Sequence, residues 1–358
     1  MLETPMQPSD RSSGVLKWGS LAAAATCALA LAYAAFWFTT AAQVKAGIAA
    51  WIEARRADGY AVSLASMEIS GFPFLIRARV DKPAIFAPGG ADAWQWAAPS
   101  LILEARPWRL TRVTGHFIGD HRLALQIGGQ RREITVEAMN IGGTFTIGEG
   151  WARRARLTAT ALILRHGNAP LAELANFDLS VGHDPSPSAD HRKATLDVVL
   201  KVTGFGLDPA LDVDLPFGPK VRAFALAAQI MGRIPAERQA VALALWRDDG
   251  GTVEVKRLDL SYGPLKLQGS GTAAVDGRLQ PVGAFTARIE GLFEAIDALR
   301  RRGIIRERDS ITAKIILGVL SKKGVGGAAA TLSAPLTIQD RRLFIGPVPL
   351  LRIPEVHW

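Results

Sequence analysis

The residues best suited to chemistry in this sequence are its 6 histidines and a few adjacent carboxylates. His116 and His121 lie close together in "TGHFIGDHRL", and neighbouring histidines suggest a metal site. Their odd separation would place them on opposite faces of one regular strand, which argues against a shared ion. The sequence therefore predicts no metal ligands here.

Two further segments contain carboxylates that could belong to a catalytic or metal-binding site. In "RDDGG", residues 247–251, two of them stand beside glycines and suggest acid–base catalysis, although strand-like flanks favour a hairpin turn. His183 with Asp184, and Asp190 with His191, lie in a proline-rich segment where solvated side chains are expected. Motifs of serine hydrolases, phosphate-binding loops and zinc proteases are missing from the sequence. We predict no catalytic residue, no cofactor and no enzymatic activity.

The tryptophans Trp94, Trp96 and Trp108 have two interpretations. They could form the rim of a ligand site, since an indole offers both an apolar surface and an N–H donor. Core or interface packing is the default for such residues.

Composition restricts the partners. Hydrophobic residues make up 49% and charged residues 21% of the 358-residue chain, which indicates a folded protein. The net charge of +9 comes from scattered arginines without a basic, aromatic run, so nucleic acid is not favoured and an anionic membrane surface is. Cys27 is the single cysteine, which excludes a disulfide framework.

An apolar block precedes everything else. Residues 18–38 contain no charge and match the ~20 residues that an α-helix needs to cross a bilayer. We predict a cytoplasmic tail over residues 1–14 and an uncleaved transmembrane helix over 15–38, with Arg11 and Lys17 favouring a cytoplasmic N-terminus. A cleavable signal peptide and a buried soluble helix are the alternatives.

The next segment, residues 39–59, has the spacing of an amphipathic helix. Val44, Ile48, Trp51 and Ile52 share one side, and Gly59 is a suitable end. We predict a juxtamembrane helix that continues the membrane helix and packs on the residues after Gly59.

The remainder is predicted to be mostly β, with strands at intervals typical of antiparallel sheets. A first β half covers residues 60–181, a loop covers 182–193, and a second β half covers 194–358 with helices near 291–302 and 310–323. The predicted fold is a long curved antiparallel sheet, either an open groove or a two-layer body.

Strands, a turn and a bulge are predicted for particular segments of the second β half. "ALDVDLPF" and "QAVALALW" are predicted to be strands, and Asp276-Gly277 a hairpin turn. In "VEVKRLDLSY" the apolar parity changes between Val255 and Leu258, which predicts a β-bulge.

Alternating strands present candidate lipid-facing residues. In "EISGFPFLIRARVDKP", Pro73 is expected to end one element and start a strand, with Phe72 and Phe74 at the end of the β core. The candidates are Phe72, Phe74, Ile76, Val80, Leu196, Val198, Leu200, Leu265 and Leu267.

Several of these segments resemble a known family. "GFPFLIRARVDKP", "WQWAAPSLILEARPW" and "SAPLTIQDRRLFIGPVPLLRIPEV" are similar to the bacterial family called domain of unknown function 2125. The resemblance covers most of the chain after residue 15 and implies an inner-membrane anchor with a periplasmic body in a Gram-negative envelope. The organisation also resembles, more loosely, that of AsmA-like proteins, which implies a β-groove that shields acyl chains.

Two functions are compatible with this sequence. The first is an inner-membrane, single-pass protein whose periplasmic β body binds or passes membrane lipid on an apolar sheet face. The second is a non-catalytic envelope assembly or scaffold factor that binds another envelope protein. An unrecognised hydrolase is a third, weaker possibility.

Overall fold

The computed structural model describes residues 12–87, 93–127, 130–148, 151–184, 191–211, 213, 215–235, 237, 239–320 and 331–358. Helix α1 covers Ser12–Ala57 without a break, so the two helices predicted over 15–38 and 39–59 are one continuous helix. Its part from Leu21 onward is the one helix in the described residues that is long and apolar enough to cross a membrane. Arg55 and Arg56 in the last turn suit the negative end of the helix dipole.

The described residues form 20 strands of one sheet. They are β1 Ala61–Ser63, β2 Ser66–Ser70, β3 Ile76–Asp81, β4 Ala84–Ala87, β5 Trp94–Ala97, β6 Ser100–Arg106, β7 Arg109–Ile118, β8 His121–Ile127, β9 Gln130–Glu137, β10 Asn140–Gly148, β11 Trp151–His166, β12 Ala169–His183, β13 Ala194–Leu207, β14 Lys220–Met231, β15 Thr252–Tyr262, β16 Leu265–Val275, β17 Pro281–Glu290, β18 Thr331–Gln339, β19 Arg342–Ile345 and β20 Val348–Arg352. The pairing is antiparallel throughout, which confirms the predicted fold class.

The sheet is a meander whose first strands are interrupted. β2 pairs with β3 and β1 with β4, then β3 with β6 and β4 with β5, so each consecutive pair of short strands acts as one long strand with a break. The breaks at residues 64–65, 82–83, 98–99, 119–120 and 138–139 lie side by side, and we call this line the crease. Beyond it, β10 pairs with the first part of β11 and β9 with the last part.

The crease has a local cause. Pro83 and Pro99 cannot donate to a strand ladder, and Lys82 adopts a left-handed φ of 47°. Gly119 has a φ of 77°, and a Cβ there would lie 2.8 Å from the Pro99 ring, so only glycine fits. Regular pairing therefore stops along one line across neighbouring strands.

Three further helices interrupt the second half. They are α2 Gln239–Asp248, α3 Leu292–Arg301 and α4 Glu307–Leu320. The last two agree with the predicted helices, although residues 321–323 lie outside the described part. α2 corrects the strand predicted for "QAVALALW", because alanine and leucine favour a helix once the alternation is not paired in a sheet.

Other predictions for this half have mixed outcomes. The strand predicted for "ALDVDLPF" does not form in its described residues, of which Ala210 and Leu211 belong to a short 3-10 helix, while residues 212 and 214 lie outside the described part. "RDDGG" begins with the last two residues of helix α2, Arg247 and Asp248, and is not a hairpin turn, whereas Asp276-Gly277 does connect β16 and β17. The bulge between Val255 and Leu258 is confirmed by a shift in register at that point.

Candidate functional site

Helix α1 is fastened to the sheet at the corner between β2 and β3. The Tyr33 hydroxyl donates to the Pro73 carbonyl oxygen at 2.5 Å, and the Trp37 indole Nε1–H donates to the Leu75 carbonyl oxygen at 3.0 Å. Trp37 is buried and packs with Ala41 and Ile76. An i, i+4 pair on one helix face thus satisfies two carbonyls that the turn leaves without strand partners.

Above this corner, α1 and the sheet enclose an apolar cavity of about 560 Å³. From the helix it is lined by Val44, Gly47, Ile48, Trp51 and Ile52. From the sheet it is lined mainly by aliphatic and aromatic side chains of β3, β6, β7 and β10, and by the crease at Pro83. Glu104 is the one charged residue in this lining. The predicted amphipathic side of the helix therefore faces this cavity.

The cavity lies at one end of a much larger apolar surface. Directly opposed residues in antiparallel strands lie on the same face, so the pairing can be followed across the sheet. Row 1 is Ile76, Ala105, Val113, Phe145, Ala155, Val181, Val198, Ala228, Val255, Gly271, Phe285, Leu336 and Ile345. Row 2 is Ala78, Leu103, Gly115, Gly143, Leu157, Leu179, Leu200, Leu226, Leu258, Gly269, Ala287 and Ala334. Row 3 is Val80, Leu101, Phe117, Ile141, Ala159, Phe177, Val202, Phe224, Leu260, Leu267, Ile289 and Leu332.

Every member of these three rows is apolar or glycine. We call the surface they form the apolar face. Neighbouring strands lie about 4.8 Å apart, so a row from β3 to β18 measures about 50 Å along the sheet. Such continuity across sequence-distant strands indicates one functional or packing surface.

The opposite face of the same strands is polar. The row that contains Arg79, His116, Asp178, Lys201, Asp259 and Arg288 alternates in charge across the sheet. Arg156 binds Asp178 through both carboxylate oxygens, at 3.0 and 2.7 Å, and this hydrogen bonding lowers the pKa of Asp178. This face therefore suits water, whereas the apolar face of the same strands does not.

The two ends of the apolar face are covered by helices. At one end α1 buries Ile76, which is 2% exposed. At the other, Leu292 and Ile296 of α3 pack on Ile289 and Leu332. Among the described residues, two buried hydrophobic clusters include members of these rows, and they lie at these two ends of the apolar face.

The middle of the face is not sealed. Val198, Leu200, Leu226, Leu258 and Leu260 are all half-buried, although they are large aliphatic residues in the centre of a sheet. A packed second layer would bury such side chains almost completely. The middle of the apolar face is therefore accessible among the described residues.

A second apolar cavity, of about 430 Å³, lies under helix α2. It is lined by Ala242, Leu243 and Trp246 of α2 and by Ile230 and Val253 of the sheet. The Trp246 indole donates to the Met231 carbonyl oxygen at 2.8 Å, which fixes the helix over the strands. Ile230 is the cross-strand partner of both Leu196 and Val253, so this cavity borders row 1 on the same face.

A comparison with protein-family models matches residues 37–354 to the family described as "Uncharacterized protein conserved in bacteria (DUF2125)". The chain belongs to the DUF2125 family. The match starts at Trp37, which fastens α1 to the sheet, and extends past the end of β20. No curated protein and no solved structure matches the chain significantly.

In this DUF2125 chain most of the predicted lipid-facing residues share one face. Ile76 and Val198 belong to row 1, Leu200 to row 2, and Val80 and Leu267 to row 3. Leu196 and Leu265 lie two residues from row members on their own strands and therefore point to the same side. Whether these side chains contact lipid stays a prediction.

Phe72 and Phe74 are different. β3 begins at Ile76, so the prediction that Phe74 belongs to this strand was wrong. Both rings are exposed in the corner, and Phe72 contacts Trp37 and Phe38 of α1 with ring centroids 5.5 and 5.9 Å apart. The corner is a turn in which the Leu75 N–H donates to the Gly71 carbonyl oxygen at 3.0 Å, and Phe72 packs on α1 instead of on the sheet core.

The histidines of this DUF2125 chain are dispersed. No group of three or more metal-ligating side chains occurs within the described residues. His121 is buried, at 4% exposure, and its Nδ1 accepts a hydrogen bond from the Trp96 indole at 3.2 Å. Burial lowers the pKa of His121, partly offset by the charge of Asp120. Nδ1 as acceptor places the proton of the neutral ring on Nε2.

The three tryptophans do not form one rim. Trp96 lines the cavity under α1 and packs on Phe117 and His121. Trp94 contacts Tyr60, and Trp108 is exposed in the turn between β6 and β7. The signals that sequence reasoning missed are Tyr33 and Trp37, whose i, i+4 spacing within an apolar helix could have indicated a docking face.

Proposed function

We propose that this protein is a single-pass membrane protein that binds or passes lipid along the apolar face of its β body, without catalysis. The apolar window of α1 would cross the inner membrane, and the body would lie in the periplasm. The observation that carries the proposal is the set of three apolar rows, which are half-buried in the middle and end in a cavity beside the membrane helix.

The energetics suit an acyl chain. Contact with hydrocarbon removes apolar surface from water at roughly 25 cal/mol per Å², so covering about 200 Å² contributes about 5 kcal/mol. A bilayer core is about 30 Å thick, and one acyl chain therefore extends about 15 Å. The apolar face, about 50 Å long, has room for more than one chain in sequence along it.

A second candidate function is a non-catalytic scaffold that binds another envelope protein. The observation that favours it is the open meander, because β2 and β20 each pair on only one side among the described residues. Unpaired strand edges can accept a strand from another chain. On this alternative, a partner strand would extend the sheet at β2 or β20, and a further segment of that partner, not lipid, would contact the apolar face.

Site-specific photo-crosslinking in cells would separate these functions. A benzoylphenylalanine at Leu200, on row 2, should form an adduct with phospholipid that mass spectrometry detects. The matched position is Lys201, the next residue on the polar face, where no lipid adduct is expected. Lipid around the membrane helix does not interfere, because the probe forms adducts only with molecules that contact its own position.

A pair of substitutions tests whether the adduct depends on the face. Val198→Asp, on row 1, should lower the lipid adduct at position 200 several-fold, because a carboxylate on this surface repels hydrocarbon. Val199→Asp is the control, since Val199 is 38% exposed and points to the polar face. A protein adduct at position 200 would support the scaffold function, and no adduct in either position would overturn the lipid proposal.

A further inference from the structure

The uncharged part of α1 fixes the level at which the membrane would end. From Trp18 to Val44 the helix carries no charged residue. At 1.5 Å per residue, about 20 residues cross a hydrocarbon core of about 30 Å. A span that begins just after Lys17 therefore ends close to Trp37 and Phe38.

The corner between β2 and β3 lies at this level. Tyr33 and Trp37 hold it through the carbonyl oxygens of Pro73 and Leu75. Phe72 stacks on the exposed ring of Phe38 at an interplanar angle of 15°. Phe74 is 69% exposed at the tip of the corner. Exposed aromatic rings at the end of a membrane span are typical of the interfacial belt.

The adjacent turn carries the same chemistry. β6 is the neighbour of β3, with Ala105 opposite Ile76, so the turn between β6 and β7 lies beside the corner. Trp108, in this turn, is 56% exposed. An exposed indole beside the aromatic corner extends the apolar surface along these ends of the strands.

Three arginines lie close to Trp108 in the sequence. Arg106, Arg109 and Arg112 are exposed, and their side chains form no ion pair within the part of the chain that the structure describes. Arg106 and Arg109 are direct cross-strand partners, an arrangement of like charges that is destabilising by itself. An anionic surface would remove this repulsion.

We infer that the ends of the strands at this corner and turn dock on the bilayer that α1 crosses. The residues that make this contact are Phe72, Phe74, Trp108, Arg106, Arg109 and Arg112, and we call them the edge patch. The aromatic rings insert at headgroup level, and the arginines bind anionic lipid. This inference rests on the proposed membrane anchoring and not on lipid transport along the apolar face. It places the start of row 1 and the cavity under α1 next to the membrane surface.

Environment-sensitive labels on the full chain test the edge patch. Cys27→Ser removes the single cysteine, and Phe74→Cys or Trp108→Cys then accepts a fluorophore at an exposed position. The matched control is Asn168→Cys, in the exposed turn between β11 and β12 at the opposite ends of the strands. The proteins are reconstituted into vesicles of phosphatidylcholine, or of an equal mixture with phosphatidylglycerol.

We expect labels at 74 and 108 to emit at shorter wavelength and to be quenched several-fold more by lipid-bound quenchers than the label at 168. The shift at 108 should be larger in the anionic mixture, and replacing the three arginines of the patch by Gln should abolish this difference. Labels at 74 and 108 that are as accessible to water as the label at 168 would overturn the inference. If the label at 74 inserts and the label at 108 does not, the inference is overturned for the turn between β6 and β7.

Each labelled protein is first checked for an unchanged melting temperature, so that a misfolded variant is not scored. The result is independent of the crosslink at position 200, which lies on β13 in the middle of the sheet. Insertion of the edge patch without a lipid adduct at position 200 would support this inference while contradicting the proposed lipid function.

Discussion

The indole of Trp37 donates to the carbonyl oxygen of Leu75 across 3.0 Å, joining helix α1 to the corner between β2 and β3. This contact connects the middle of α1 with the start of row 1, because Leu75 immediately precedes Ile76. The orientation of the β body relative to α1 therefore depends on a few groups near residue 37. Removing one of them should loosen the body from the helix.

Trp37→Ala should destabilise the docked state by about 3 to 5 kcal/mol, because it deletes a buried aromatic side chain. Trp37→Phe keeps most of the packing and loses one hydrogen bond, so the expected loss is about 1 kcal/mol. Thermal unfolding of the full chain in lipid nanodiscs measures both. Phe36→Ala, an exposed position on the same helix, serves as the control and should change little.

Two adjacent glycines on β10 should respond oppositely to alanine. A Cβ at Gly143, on row 2, would lie 2.9 Å from the Arg156 carbonyl oxygen and 3.2 Å from the Phe145 ring. Gly143→Ala should therefore destabilise the protein by about 1 to 3 kcal/mol. At Gly142, on the polar face, the nearest atom would be 3.4 Å away, so Gly142→Ala should be neutral or stabilise by about 0.5 kcal/mol. Equal melting temperatures for the two variants would contradict the assignment of faces.

Much of the apolar face was predictable because strand alternation is a local property. The alternation at Ile76 to Val80 and at Leu196 to Leu200 indicates which side chains share a side without knowledge of any partner strand. The rows themselves were not predictable. They depend on register between strands, and a shift of one residue would move every side chain to the other face.

The errors have the same origin. "QAVALALW" alternates in hydrophobicity, but its residues also favour a helix, and only packing over Ile230 and Val253 decides between the two. Phe72 and Phe74 continue the parity of β3, yet contacts with α1, distant in sequence, place the corner outside the strand. Tertiary contacts therefore overrode local patterns at the points where helices meet the sheet.

The buried His121 should make stability depend on pH in a defined window. Its pKa is lowered in the folded protein by burial, from the ordinary value of 6.5. Well above pH 6.5 the ring is neutral in both the folded and the unfolded state. As the pH falls below 6.5, the unfolded chain binds a proton that the folded chain resists, so the free energy of unfolding decreases until the folded-state pKa is reached.

Urea denaturation between pH 7.5 and 5 measures this slope. His121→Gln keeps an acceptor for the Trp96 indole and removes the titrating group, so the part of the slope due to His121 should disappear. The pKa of Asp178 is lowered below 3.8, so its contribution is lost only at more acidic pH, outside this window. An identical slope in His121→Gln and the unmodified protein would show that His121 is not the group responsible.

The direction of insertion can be measured at the end of the chain. A body of this length is translocated largely irrespective of its charges, while Arg11 and Lys17 favour retention of the short N-terminal segment in the cytoplasm. Trp358 is 46% exposed, so a fused protein is accessible there. Alkaline phosphatase, which folds only where disulfides form, should therefore be active when fused after Trp358 and inactive when fused after Arg11, before helix α1. Activity of the Arg11 fusion together with an inactive Trp358 fusion would place the β body in the cytoplasm and contradict the proposed periplasmic function.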